Sequence, residues 1–225
     1  MVQRPASTRQ VVIDGPAGAL EGVVEEPKRI DGGTVCVACH PHPLYHGTMN
    51  NKVVHTLART AVSLGAPAVR FNFRGVGASE GEWDEGHGEV DDALAVVSWA
   101  RATWPGTDLW LGGFSFGAFI ALSAEARCRP SRLITIAPPI HRFPTDNIPE
   151  PACPWLVVQG QDDELVDAAA VSNWVAGHDP VPEFALLDGV DHFFHGALTR
   201  LRTELSAFLA PQAEASHLVR GRRSA

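Results

Sequence analysis

The stretch Leu109-Trp110-Leu111-Gly112-Gly113-Phe114-Ser115-Phe116-Gly117-Ala118 constrains this chain more than any other. It reads as an apolar run, then Gly-x-Ser-x-Gly, then the opening of a helix-forming segment. A serine in that pattern sits on a sharp strand-to-helix turn with its hydroxyl held clear of the sheet, the arrangement known as a nucleophile elbow. Gly113 and Gly117 lie close to the turn, where a Cβ would collide with the neighbouring strand and helix. The five-residue string is short and arises by chance in many chains. Its weight therefore depends on a buried strand before it, a helix after it, and chemical partners later in the chain.

The surrounding pattern supplies the strands and helices. Residues 10–16 and 20–25 are two β-prone runs joined by Pro16-Ala17-Gly18, which predicts an antiparallel hairpin. Residues 34–39 are almost wholly apolar, as expected of a central strand covered on both faces. A polar loop, residues 40–48, follows. Residues 49–64 then carry Val53, Val54, Leu57, Ala61 and Leu64 at helical spacing and stop at Gly65, a C-terminal cap. Further strands are expected at 68–73, 109–114, 133–137, 155–160 and 184–187. Helices are expected at 90–102, 116–126, 168–176 and 195–209. A hairpin followed by alternating strand and helix predicts an α/β fold: a mostly parallel sheet of about eight strands with helices on both faces. Residues 1–210 read as one domain, and residues 211–225 as a loose, polar C-terminal tail containing Arg220, Arg222 and Arg223.

Composition narrows the function classes. A formal net charge of −8 over 225 residues argues against a nucleic-acid partner, which selects for basic chains. No apolar run reaches the length of a membrane span. The N-terminus lacks the apolar core of a secretory signal, and the four cysteines do not form a disulfide framework. The expected setting is cytoplasmic, without membrane attachment, and both monomer and homodimer stay open.

Ligands of such sheets bind at the carboxyl ends of the strands. Ser115 follows one strand, Gln161-Asp162-Asp163-Glu164 another, and Asp188-Gly189-Val190-Asp191-His192 the last. The order serine, acid, histidine is the one used by folds built on a Gly-x-Ser-x-Gly elbow. The chemistry explains the residue types. A serine hydroxyl is a weak nucleophile until a histidine removes its proton, and a carboxylate behind the histidine sets its tautomer. His192 lies in the loop straight after the last strand, whereas His195 lies at the helix start, so His192 is the candidate base. Asp162, Asp163 and Glu164 compete for the acid. The oxyanion needs two donors: the N–H of Phe116, after the nucleophile, and one from the loop His40-Pro41-His42-Pro43-Leu44. Prolines have no N–H, which leaves His42 or Leu44, with Tyr45 a weaker candidate. His40, His42 and His46 also suggest metal ligation, but no carboxylate or thiolate stands at ligand spacing beside them. Arg74-Gly75-Val76-Gly77 lacks the full spacing of a phosphate cradle, and a sharp turn accounts for its glycines. Asp91-Asp92 and the acidic residues among 80–89 read as a solvated face with some benefit at a helix N-terminus. No metal or organic cofactor is called for.

These motifs together resemble the α/β-hydrolase superfamily, and more narrowly its small bacterial serine hydrolases without a lid, related to dienelactone-hydrolase-like carboxylesterases. The resemblance spans about residues 10–210. It is carried by His40-Pro41-His42-Pro43-Leu44 with Gly47-Thr48-Met49-Asn50-Asn51, by residues 71–79, by Gly113-Phe114-Ser115-Phe116-Gly117, by Gly160-Gln161-Asp162-Asp163-Glu164-Leu165-Val166, and by Asp191-His192-Phe193-Phe194. It implies Asp163 as the acid, between Gly160 and Val166, and His192 as the histidine. It points to His42 as the second oxyanion donor, although His40-Pro41 stands where many relatives have His-Gly, so Leu44 stays open. It implies a carboxylesterase-like activity on small acyl esters through an acyl-enzyme, with thioesters, peptides or acyl transfer as alternatives on the same residues. A hydrolase fold kept only for binding is the alternative of another class. The wider family usually inserts a lid between the strands ending near Ala137 and beginning near Pro154. Here residues 138–149 are too few for a helical cap, so an open site is expected. Phe114, Phe116, Phe143, Phe193 and Phe194 are candidates both for an apolar acyl pocket and for the core.

Overall fold

A computed structural model describes residues 6–30, 33–145 and 147–210. The expected tail, residues 211–225, lies outside the described residues. Eight strands form one sheet: β1 (Ser7–Gly15), β2 (Gly18–Glu26), β3 (Thr34–Cys39), β4 (Ala68–Phe71), β5 (Asp108–Phe114), β6 (Arg132–Ile136), β7 (Trp155–Gly160) and β8 (Glu183–Leu187). Five helices connect them: α1 (Lys52–Ser63), α2 (His87–Thr103), α3 (Phe116–Cys128), α4 (Ala168–Ala176) and α5 (Leu198–Leu209). The strand order is β1-β2-β4-β3-β5-β6-β7-β8. The β1–β2 and β2–β4 pairs are antiparallel, and every later pair is parallel.

The apolar run of β3 is explained by its place. Val35, Val37 and Cys39 pack into the core shared with α2, α3 and α4, while Cys36 and Ala38 pack into the core under α1 and α5. A strand with a core on both faces has no solvent face on which polar residues are favoured. On α1, Val53, Val54, Leu57, Ala58 and Ala61 are buried, and Asn51 caps the helix by accepting the Val53 N–H. Because Asn51 is the cap, the helix begins later than residue 49. Residues 49–51 instead form a loop held from below by Asn72 and Arg70, through Met49 N–H to Asn72 Oδ1 and Arg70 Nη1 to the Met49 carbonyl.

Three sequence expectations need correction. The acidic stretch around α2 is not simply a solvated face, because Glu89 and Asp92 are fully buried. Glu89 accepts the N–H groups of Asp84 and Gly86 at the N-terminus of α2. Asp92 receives Nε and Nη2 of Arg74, at 3.0 and 2.7 Å. Helix α2 therefore starts at His87, ahead of the expected residue 90. The last helix starts at Leu198 instead of 195, because Phe194 and Gly196 take positive φ and Asp191 accepts the His195 N–H. A turn of that kind cannot continue as helix. Gly75 and Gly77 have φ of 71° and 62°, as a sharp turn requires. No described helix is long and apolar enough to cross a membrane.

The topology decides which loops meet. Chain order reverses at β3, whose neighbours are β4 and β5, and ligand crevices form at such a switch above the carboxyl ends. Cys39 pairs with Gly113, so the loop after β3 rises beside the elbow after β5. Gly160 pairs with Leu187, so the loops after β7 and β8 also leave side by side. The connection from β6 to β7 contains no helix among its described residues.

Candidate active site

Ser115 has φ 52° and ψ −119°, a region that non-glycine residues avoid. Its neighbours hold it there. The Ser115 N–H donates to the Ile136 carbonyl at 2.8 Å, and the Ala118 and Phe119 N–H groups donate to the Ser115 carbonyl. A Cβ on Gly113 would stand 2.0 Å from the Gly117 carbonyl oxygen, and one on Gly117 2.3 Å from that of Cys39. Both glycines are thus required by backbone approaching backbone. Phe116 opens α3, so its N–H has no acceptor within the helix and is free to bind a ligand oxygen.

The three side chains expected from the chain order come together. Ser115 Oγ lies 3.1 Å from His192 Nε2, and His192 Nδ1 lies 2.8 Å from Asp163 Oδ2. A carboxylate only accepts, so Nδ1 carries the proton toward Asp163 and Nε2 accepts from the serine hydroxyl. Phe114 packs against the imidazole with ring centres 5.1 Å apart. Asp163 Oδ1 accepts the N–H groups of Leu165 and Val166, at 2.9 and 2.8 Å. Burial pushes the Asp163 carboxyl up, but the hydrogen bond and charge of His192 and the two backbone N–H groups outweigh it. The net effect holds it below the ordinary carboxylate value.

The rival residues take other parts. Glu164 accepts the backbone N–H of His192 at 3.2 Å and so braces the histidine loop. Asp162 is exposed, its N–H tied to the Val190 carbonyl. His195 is exposed and paired with Asp191 at 2.6 Å.

In the loop after β3, His40 is buried and both ring nitrogens are taken. Its Nε2 accepts the Phe73 N–H at 3.0 Å, which leaves Nδ1–H to donate to the Pro41 carbonyl at 2.6 Å. His40 therefore supports the loop and has no free nitrogen for a metal. The loop curls back on itself, with the His42 carbonyl accepting the N–H groups of Tyr45 and Gly47. Gly47 is needed for that closure, since a Cβ there would stand 2.0 Å from the Pro41 carbonyl oxygen. The two oxyanion candidates separate here. The Leu44 N–H is already given to His42 Nδ1 at 3.2 Å, and its side chain is turned to solvent. His42 borders the cavity beside Ser115.

That cavity measures about 470 Å³. Of the five candidate phenylalanines, Phe116, Phe143 and Phe193 border it, whereas Phe114 and Phe194 are fully buried in the α1/α5 core. Two contributors were not singled out from the sequence. Trp83, in the acidic stretch, packs on His42 and Phe116 with ring centres 4.6 and 5.1 Å away. Gln159, inside β7, is fully buried and donates Nε2 to Asp163 Oδ2 at 2.9 Å. A polar residue within an otherwise apolar central strand was the available signal for Gln159.

The model of the X-Pro dipeptidyl-peptidase family (S15) matches residues 41–145, a span that includes Ser115 but neither Asp163 nor His192. The chain is similar to a crystal structure from Xanthomonas campestris described as an α/β serine hydrolase without a lid. Identity is 41%, with 93% of this chain and 98% of that one covered and a TM-score of 0.87. It is likewise similar to an α/β serine hydrolase homologue from Coxiella burnetii, at 44% identity over 90% of this chain and 97% of that one, with a TM-score of 0.87. The chain belongs to the α/β-hydrolase superfamily. An uncharacterized protein of Rickettsia prowazekii is 36% identical to this hydrolase over 198 residues, 82% of each chain. The lidless β6–β7 connection agrees with the Xanthomonas structure's description.

Proposed function

We propose that this hydrolase cleaves short-chain acyl esters through a covalent acyl-serine. The observation that carries the reading is the hydrogen-bonded series Ser115–His192–Asp163 opening onto an apolar cavity of about 470 Å³. Ser115 Oγ attacks the ester carbonyl while His192 Nε2 takes its proton. The oxyanion that forms accepts from the N–H groups of Phe116 and His42. His192 returns the proton to the departing alcohol, leaving an acyl-serine. Water then attacks the acyl carbon, giving its proton to His192 and afterwards restoring the serine. Asp163 orients the imidazole and stabilises its charged form. The proton account closes within these residues and water, without a metal or organic cofactor.

The preference for short acyl groups rests on the absence of a helix among the described residues between β6 and β7 and on the size of the cavity. Ser115→Ala is expected to lower turnover of p-nitrophenyl butyrate by about a thousandfold or more, with an unchanged circular dichroism spectrum. Wild-type protein should be labelled at Ser115 by a fluorophosphonate. Undiminished turnover in the variant would remove Ser115 from the reaction. The S15 match adds an amide substrate to the panel: faster cleavage of a Xaa-Pro p-nitroanilide than of the butyrate would replace the ester reading with a peptidase one.

A further inference from the structure

The cavity in front of Ser115 has a sign of charge opposite to that of the molecule. The chain carries a formal net charge of −8. Among the described residues, no Asp or Glu borders this cavity, whereas Arg142, His46 and His141 do. Arg142 comes from the short β6–β7 connection. Its guanidinium lies 5.9 Å from the centre of the Tyr45 ring. Among the described residues it makes no hydrogen bond or ion pair. Glu85 borders an adjoining groove that Arg142 also reaches, and no salt bridge joins the two. The cation is felt within the site, because the charge of Arg142, after burial, lowers the pKa of His42. Much of the remaining wall is aromatic or aliphatic, as at Phe116, Phe143 and Leu165, and such a wall strengthens any charge pair formed beside it.

A guanidinium offers five N–H donors in a planar fork that matches a carboxylate with two parallel hydrogen bonds. Here Arg142 is exposed and borders the cavity beside Ser115, and among the described residues no protein oxygen takes that fork. We infer that the natural esters of this hydrolase carry a carboxylate, on the acyl or the alcohol part, which pairs with Arg142 while the ester carbonyl lies at Ser115. The inference rests on the esterase reading above and adds a substrate class to it. No bond is made or broken at Arg142, which acts in binding and selection.

The test compares esters of equal carbon count. On the acyl side these are mono-p-nitrophenyl adipate and p-nitrophenyl hexanoate. On the alcohol side they are 3-carboxyphenyl butyrate and its uncharged carboxamide counterpart. In at least one pair, wild-type kcat/KM should favour the anionic ester by about tenfold at low salt, as a charge-assisted pair at a partly exposed site allows. The ratio should shrink as salt is raised. It should fall to about one in Arg142→Gln and be largely kept in Arg142→Lys. Equal rates within both pairs, or a preference that survives in Arg142→Gln, would overturn the assignment. Calorimetric binding of the same esters to Ser115→Ala separates this inference from the ester chemistry. Anion-selective binding that depends on Arg142, without turnover by the wild type, would retain the subsite and overturn the esterase reading.

Discussion

Gln159 and His40 are two buried polar side chains that act on the site without facing the cavity. Gln159 Nε2 donates to Asp163 Oδ2, the same oxygen that receives His192 Nδ1. Gln159→Leu removes one hydrogen bond to a charged group, worth about 1.5–3 kcal/mol. If that loss falls on the orientation of His192, kcat drops by about tenfold to a hundredfold. The loss should fall on kcat with little change in KM, as expected of a group that positions the imidazole through Asp163. An unchanged kcat would confine Gln159 to packing. His40 is fully buried and, chiefly through burial, its pKa is lowered from 6.5 to about 4. The sign follows from proton counts. Between pH 6.5 and 4 the unfolded chain binds a proton at His40 that the folded one refuses, so stability falls as pH drops. By pH 4 the loss is about 3 kcal/mol. Urea unfolding from pH 7 to 4 should show that excess slope in the wild type and not in His40→Gln. An imidazole signal of His40 titrating near pH 6.5 would contradict the burial argument.

At the scale of elements, the elbow holds a serine in a disfavoured conformation because β3, β5 and α3 approach backbone to backbone. Gly117→Ala would place a Cβ 2.3 Å from the Cys39 carbonyl oxygen and 2.6 Å from that of His40. Neither oxygen belongs to a flexible side chain, so α3 has to shift. A loss of about 3 kcal/mol or more in urea unfolding is expected, with any turnover of p-nitrophenyl butyrate reduced in whatever folds. Near-wild-type stability would mean that the strand-to-helix junction is looser than the geometry requires. Strand cores were legible in the sequence because a two-sided apolar run such as 34–39 has few alternatives. Element ends were less legible. The start of α1 depends on Asn51 acting as cap, and that of α2 on Glu89 reaching back to Gly86. Both are side-chain choices among several nearby polar residues.

At the scale of the whole molecule, one uncapped sheet edge carries the site. Without a lid to open, no activation is expected when substrate passes from monomer to micelle. Rates on p-nitrophenyl esters should fall from butyrate to palmitate and show no jump at the critical micelle concentration. A jump would indicate a mobile cover over the site. The order Ser115, Asp163, His192 along the chain, each after a strand, sufficed to nominate the three side chains that meet and the sheet, because both follow from local pattern and strand alternation. The choice among Asp162, Asp163 and Glu164 rests on which carboxylate the β7 loop turns inward: Asp163 meets the His192 ring, whereas Glu164 meets only its backbone N–H. The choice between His42 and Leu44 rests on a curl of the loop that commits one N–H to a side chain. The burial of Glu89 and Asp92, and the placing of Arg142 and Ser115 on one cavity, follow from packing between elements. Local sequence pattern carries no record of contacts made at that distance, because they depend on how the sheet orders its strands.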